Sequence, residues 1–352
     1  MDPVTHTLVG VTVANGFFRR RAGAAAVPIL ALASNLPDID GIVMLSGDPT
    51  AVMMRRTFGH SLLLLPLLCI ALAWLVRLRW RHLTRLEILG MVAVGAGLHL
   101  FFDLINSFGV VLLWPLSPAR PELAWVFIID LILTGLLAAP LLLALAPRWR
   151  PRIATLSRAA LGAVAVYLAL CGAGHARAMT LLERAAADGG VADDGGGAVG
   201  DGDTGVAGDD ASSDLGPDWV EVGSPAPPDF LYVFPEPLGP HRWRGVARAG
   251  DHYRLHLINV VTGAVTFRRE VTTHVADPQV ARARATPLGR RLETFFKAPV
   301  WGVEAAGRGA SVYDLRFTSF VLDRPAVFQF TVPLEVGAHG GAKLVDPGSA
   351  NN

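Results

Sequence analysis

His99 and Asp103 stand four residues apart inside the apolar run 88–105, and at 3.6 residues per turn a helix presents both from one face. An imidazole and a carboxylate converging in hydrocarbon need a partner, since a charge at membrane depth costs roughly 2.5–3.5 kcal/mol on insertion scales. A divalent metal ion is the partner that takes both groups at once. The plain alternative is a His–Asp hydrogen bond that pins two helices. Upstream, His6, Asp38, Asp40 and His60 occupy the edges of further apolar segments. Each has an ordinary structural use alone; Asp38, after Pro37, can close a turn. Together these His and Asp residues read as a distributed metal-ligand set.

Imidazole nitrogen and carboxylate oxygen without thiolate suit Zn²⁺, and Mn²⁺ or Fe²⁺ are compatible. Such an ion lowers the pKa of bound water to about 7, and a pair of ions ~3.5–4 Å apart clamps an ester or phosphoester. Asp38 or Asp40, whichever is not a ligand, is then the candidate for orienting the water or accepting its proton. Arg56, shortly before His60, is the candidate for pairing with a phosphate oxygen. It also fits as a basic flank of a membrane span.

The elements that must position these groups are apolar. Segments 61–76, 88–113, 125–146 and 159–176 approach or reach the ~20 residues of a bilayer span. Segments 4–18 and 22–34 are expected to form a re-entrant hairpin. Asp2 and Pro3 stand where a signal peptide has its basic region, so none is expected. Arg77, Arg79, Arg81 and Arg85 fill the first inter-span loop, and Arg148, Arg150, Arg152 and Arg158 the third. The second carries only Arg120 and Glu122. The positive-inside rule places the first and third loops in the cytoplasm and the C-terminal half outside it. Arg19–Arg21 and Arg55–Arg56 argue the other way for the N-terminal region.

Composition divides the chain in the same way. Of 352 residues, 52% are hydrophobic and 17% charged, and the apolar excess lies before residue 177. The net charge of +1 gives no electrostatic case for nucleic acid. Cys69 and Cys171 both fall in apolar runs, which indicates neither a disulfide framework nor a thiolate site. Residues 177–228 read as a helix end and a disordered Gly/Asp/Ala-rich linker. Residues 229–352 read as a small α+β domain with a disordered tail. Its strands are expected at 230–234, 252–261, 264–272, 312–318 and 326–332, and helix at 278–297 with a break at Pro287. His252 and His256 share a strand face there and read as surface residues. The fold class is therefore an α-helical polytopic membrane bundle, residues 1–176, with a C-terminal β-rich soluble domain.

The motifs His6-Thr-Leu-Val-Gly10, Asn35-Leu-Pro-Asp-Ile-Asp40, Arg56-Thr-Phe-Gly-His-Ser61 and His99-Leu-Phe-Phe-Asp-Leu-Ile-Asn-Ser-Phe-Gly109 carry a family resemblance. In this order, and continued by Phe234-Pro-Glu-Pro-Leu-Gly-Pro-His-Arg-Trp-Arg-Gly245, the sequence resembles the bacterial and archaeal membrane-bound metal-dependent hydrolases. These are also called LexA-binding, inner-membrane-associated hydrolases. That family is in turn distantly similar to zinc-dependent phospholipase C and the single-strand-specific nucleases. The resemblance implies metal ligation by His6, Asp38 or Asp40, His60, His99 and Asp103, with Asp130 as an acidic candidate in the next span. No second His and Glu pair follows Asp103 to complete a three-metal site.

The leading expectation is a multi-pass inner-membrane hydrolase acting on a lipid-like ester or phosphoester. Its alternatives are a metal-stabilised scaffold or regulator without turnover, and a metal or proton transporter using the same groups. A periplasmic-type reporter fused after Asn352 is expected to be active; activity of a cytoplasmic reporter alone would contradict the topology.

Overall fold

The computed structural model of the chain describes residues 1–187, 228–304, 308–322, 327–334 and 343–344. Its N-terminal region is helical. Helix α1 (Pro3–Val13) begins where the Asp2 side chain accepts from the Thr5 amide, with Pro3 at a position whose missing N–H costs nothing. A π-turn at Ala14–Phe18 leads through α2 (Arg19–Ala22) to α3 (Ala26–Ala33). Three 3-10 segments follow, Leu36–Ser46, Pro49–Met54 and Phe58–His60. Then come α4 (Leu65–Arg79), α5 (Arg85–Leu104, opened by a Thr84/Glu87 capping box), α6 (Leu131–Leu143) and α7 (Ile153–Ala187).

Helix α5 is central. Ile88, Met91 and Val92 pack with Ile29 and Leu30 of α3 and Cys69 of α4. Phe102 and Ile105 pack with Leu133 and Leu137 of α6 and Leu168 of α7. Much of the outer surface stays apolar, with Leu67, Trp74, Leu142 and Val166 exposed, as a lipid-facing surface requires. Helix α5 and the continuous run Pro147–Ala187 are long and apolar enough to cross a membrane. Two bent pairs raise the number to four if each is a single span: Pro3–Ala33 with Leu36–Ser46, bent by 43°, and Pro49–His60 with Leu65–Arg79, bent by 73°.

The apolar segment expected at 125–146 forms a shorter helix. Helix α6 has 13 residues. At 1.5 Å per residue that is ~20 Å, against a hydrocarbon core of ~30 Å. The preceding residues are held extended, because Trp125 donates its amide to the Ile105 carbonyl and Val126 bridges to Asn106. Likewise α5 stops at Leu104 rather than reaching 113, since the Asn106 side chain captures the Phe108 amide at 2.8 Å.

The C-terminal region holds two antiparallel sheets, each in chain order. The first contains β1 (Phe230–Pro235), β2 (Arg242–Ala249), β3 (His252–Asn259) and β4 (Ala264–Thr272). Helices α8 (Pro278–Ala285) and α9 (Pro287–Phe295) precede the second, which contains β5 (Pro299–Val303), β6 (Gly309–Asp314), β7 (Gln329–Pro333) and β8 (Lys343–Leu344). His256 is not a surface residue. A bulge between Leu255 and His256 breaks the alternation and buries His256, whose pKa falls to about 4 through loss of solvation, while His252 stays exposed on Glu270. The segment expected to be strand to 318 turns earlier, because the Asp314 side chain accepts the Arg316 amide and starts a 3-10 turn. The glycine- and aspartate-rich stretch expected to be a disordered linker lies, from 188 to 227, outside the described residues, as does most of the tail.

The two regions share contacts. The end of α7 buries Ala178 and Leu182 against Val233, Trp243 and Ile258. Arg316 donates to the carbonyls of Phe108 (3.1 Å) and Phe295 (2.8 Å) and lies 3.4 Å from Glu122, which also accepts from the Tyr232 hydroxyl at 2.9 Å. Within the bundle, α1 and α3 meet through Gly10, where a Cβ would overlap Ser34 and the Leu30 carbonyl. Gly10→Leu is expected to lower stability by ~1–3 kcal/mol through overpacking. Gly90→Ala, placed where nothing lies within 4 Å, should leave the thermal midpoint unchanged or raise it. An unchanged midpoint for Gly10→Leu would contradict the close approach.

Candidate metal centre

Four elements bring the polar groups together. His6 projects from α1, and Asp38 and Asp40 lie in the 3-10 segment after Pro37. His60 ends the turn Phe58–His60, held against that segment because Gly59 has no Cβ to strike the Pro37 carbonyl. His99 and Asp103 occupy successive turns of α5, both fully buried.

One donor atom from each of Asp38, His60, His99 and Asp103 lies within 4.8 Å of all the others. The ring nitrogens are assigned by their partners. His99 Nδ1 is 2.8 Å from the Ser34 carbonyl oxygen, which only accepts, so Nδ1 carries the proton. His60 Nδ1 is 2.9 Å from Asp40 Oδ2 and carries one for the same reason. In the neutral rings both Nε2 atoms are then lone pairs, and they face each other at 3.1 Å. Asp103 Oδ2 is 3.1 Å from His60 Nε2 and 3.5 Å from His99 Nε2. Asp38 Oδ1 is 4.0 Å from His99 Nε2. Converging lone pairs repel unless a cation lies among them. Two donors on one tetrahedral Zn²⁺, at bond lengths of ~2.0–2.1 Å, stand ~3.3 Å apart. The donor set fits a divalent ion in type and spacing. Buried atoms with no hydrogen-bond partner surround it: Asp38 Oδ2, Asp40 Oδ1 and His6 Nδ1.

The remaining residues support this group. Asp40 accepts from the Thr57 amide (2.8 Å) as well as facing His60, an arrangement that fixes the imidazole tautomer. His6 stacks on His99 with ring centroids 3.7 Å apart, and its Nε2 is 3.1 Å from Asp103 Oδ1, an oxygen the Met1 nitrogen also meets. Asp38 is the member least buried, at 14% exposure of its side chain, and Arg55 lies 3.4 Å from it on the open edge.

Two candidates stand elsewhere or otherwise than expected. Asp130 is not among the converging donors. Its Oδ1 caps α6 through the Leu133 amide at 2.9 Å, and its Oδ2 accepts from the Tyr167 hydroxyl at 2.7 Å. Arg56 neither flanks a span nor reaches outward. It is buried, with Nε 2.7 Å from Asp103 Oδ2 and Nη1 donating to Asn106 at 2.8 Å. In the sequence Arg55 reads only as charge beside a span and Asn106 only as part of a motif, neither as a site residue. Asn106 follows Asp103 by three residues, the spacing that returns to the same helix face.

A helical region of apolar segments carrying a buried histidine–carboxylate centre, joined to a β-sheet region, defines a membrane protein with a candidate metal site. The family model of the YdjM inner membrane proteins matches residues 1–178, the part that carries every residue of the cluster, and the chain belongs to that family. Neither a curated protein nor a solved structure matches it.

Metal affinity should respond to Asp40 but not Asp130. Asp40→Ala is expected to weaken binding ~10–100-fold, as loss of an outer-shell carboxylate does. Asp130→Asn, which keeps a capping oxygen, should bind as the unaltered protein does. Chelator competition in detergent measures both, and equal losses would contradict the assignment.

Proposed function

We propose that the chain is a membrane-embedded, metal-dependent hydrolase of esters or phosphoesters with lipid-like character, and that zinc is its ion. The observation that carries this reading is the 3.1 Å approach of the His60 and His99 Nε2 atoms beside Asp103 Oδ2. A divalent ion there would supply Lewis acidity and hydroxide at neutral pH. His60, His99, Asp103 and Asp38 would hold it, and Asp40 and the Ser34 carbonyl would hold the two rings in the binding tautomer. Arg56, 2.7 Å from Asp103 Oδ2, orients that carboxylate rather than gripping substrate. Arg55, 37% exposed beside Asp38, is the better-placed group to meet an anionic oxygen arriving from the open edge. The apolar exterior of the bundle favours a substrate drawn from the bilayer. The β-sheet region is proposed to lie on the extracytoplasmic face, the side that the positive-inside rule assigns it from the arginine-rich loops 77–85 and 148–158.

A scaffold reading is favoured by one contact. Arg56 already lies 2.7 Å from Asp103 Oδ2, so that carboxylate has a cationic partner without an ion. Metal analysis of the purified full chain, with a screen of generic phosphoesters, separates the two. The hydrolase reading expects bound metal and turnover, both lost in His99→Ala while the folded yield is kept. Full activity and full metal content in a well-folded His99→Ala protein would contradict it, and metal without turnover would favour the scaffold.

A further inference from the structure

Next to the candidate centre, a cleft of about 500 Å³ runs between the segment Met53–Thr57 and helix α9. Thr57 belongs to both places, since it lines the cleft while its amide donates to Asp40. One part of the wall is apolar, formed by Met53, Trp114 and Phe295. The other is cationic, formed by Arg120, Arg290 and Arg291, and no Asp or Glu is among the described residues that line it.

These arginines differ from their neighbours in having no carboxylate partner among the described residues. Arg284, nearby on α8, pairs with Glu293 at 3.0 Å, and Arg316 lies between Glu122 and Asp314. Arg120 spends Nη2 on the carbonyls of Met53 and Arg55, which leaves Nη1 buried and without a partner. Burial, with Arg316 and Arg56 close by, lowers its guanidinium to about 9, the mark of a cation short of counter-charge. Arg290 and Arg291 are exposed on α9, and among the described residues the Arg290 guanidinium meets only the Ala285 carbonyl. Beside the cleft, Leu113 and Leu116 flank Trp114 at 50% and 77% exposure, so its apolar wall continues into a surface suited to lipid. A simple anion would leave the apolar wall unused, and a neutral lipid would leave the three cations unanswered.

We infer that this cleft binds an anionic phospholipid, with its phosphate at Arg120, Arg290 and Arg291 and its chains along Met53, Trp114 and Phe295. The claim that such a lipid is the substrate rests on the hydrolase reading above; the binding does not. The β-sheet region thereby supplies part of the substrate site through α9, although every candidate metal ligand lies in the helical region.

The test uses the full chain in phosphatidylcholine nanodiscs. It is titrated with dihexanoylphosphatidic acid, dihexanoylphosphatidylcholine and inorganic phosphate, and tryptophan fluorescence is followed. Phosphatidic acid is expected to give a saturable change that Trp114→Phe removes. Arg290→Ala/Arg291→Ala should shift it at least about tenfold toward weaker binding, as loss of charge-assisted hydrogen bonds does. A comparable response to phosphatidylcholine or to inorganic phosphate, or an unshifted curve in the double variant, would overturn the inference. His99→Ala should keep the titration while losing metal. Lipid binding without hydrolysis in any preparation would uphold the cleft and remove the hydrolase reading. Hydrolysis with no saturable lipid response would do the reverse.

Discussion

Two buried imidazole Nε2 atoms 3.1 Å apart, each bearing a lone pair in the neutral ring, set the terms for this structure. Such a pair is costly in low dielectric, where unpaired polar groups lose solvation and gain nothing. The fold does not relax it by turning either ring, because each Nδ1 is already committed, one to the Ser34 carbonyl and one to Asp40. Asp103 adds a carboxylate oxygen at similar range, and Arg56 restrains that carboxylate from the other side. The arrangement is one that a cation completes.

Keeping it requires several close approaches in the helical region. The contact of α5 with α3 at Gly95, where a Cβ would strike Ala33 and the Ser34 amide, puts Ser34 beside His99, and the contact of Gly59 with Pro37 puts His60 beside Asp38 and Asp40. The wall formed by residues 105–126 is fixed from the other region, through Arg316 and Tyr232 on Glu122 and through Phe108 packed on Phe295 and Phe317. Removing one partner of a buried ion pair costs ~3–5 kcal/mol, so this junction joins the β-sheet region firmly to the loop that carries Asn106. The cleft beside the centre follows from that docking, since α9 forms its far side.

Part of this was legible in the sequence. The i, i+4 pair on α5 and the Asp and His residues at apolar edges stand out because charge inside hydrocarbon has few uses. The helix pair broken at Pro287 was legible from proline alone. Asp130 shows the limit of that logic: a carboxylate at the edge of an apolar run is also what a helix N-cap looks like, and the Tyr167 partner comes from another helix. The irregular stretches 36–60 and 105–130 have no periodicity to read, because their backbones are organised by Asn106, Asp40 and Gly59 through tertiary contacts. Strand β2 was hidden by Gly245 and by Arg244, whose burial depends on Glu236 at 3.1 Å. Arg56 looked like a membrane flank for the same reason, since only the fold supplies Asp103 and Asn106 as its partners.

On the proposed reading His60, His99 and Asp103 share an ion. X-ray absorption at the zinc edge on purified full-length protein, reconstituted with zinc and then dialysed, tests it most directly. The account predicts one retained zinc per chain, with imidazole nitrogen and carboxylate oxygen at ~2.0–2.2 Å. It also predicts loss of that signal in a folded His60→Ala/His99→Ala variant. No retained ion, or a spectrum that the double variant leaves unchanged, would contradict it.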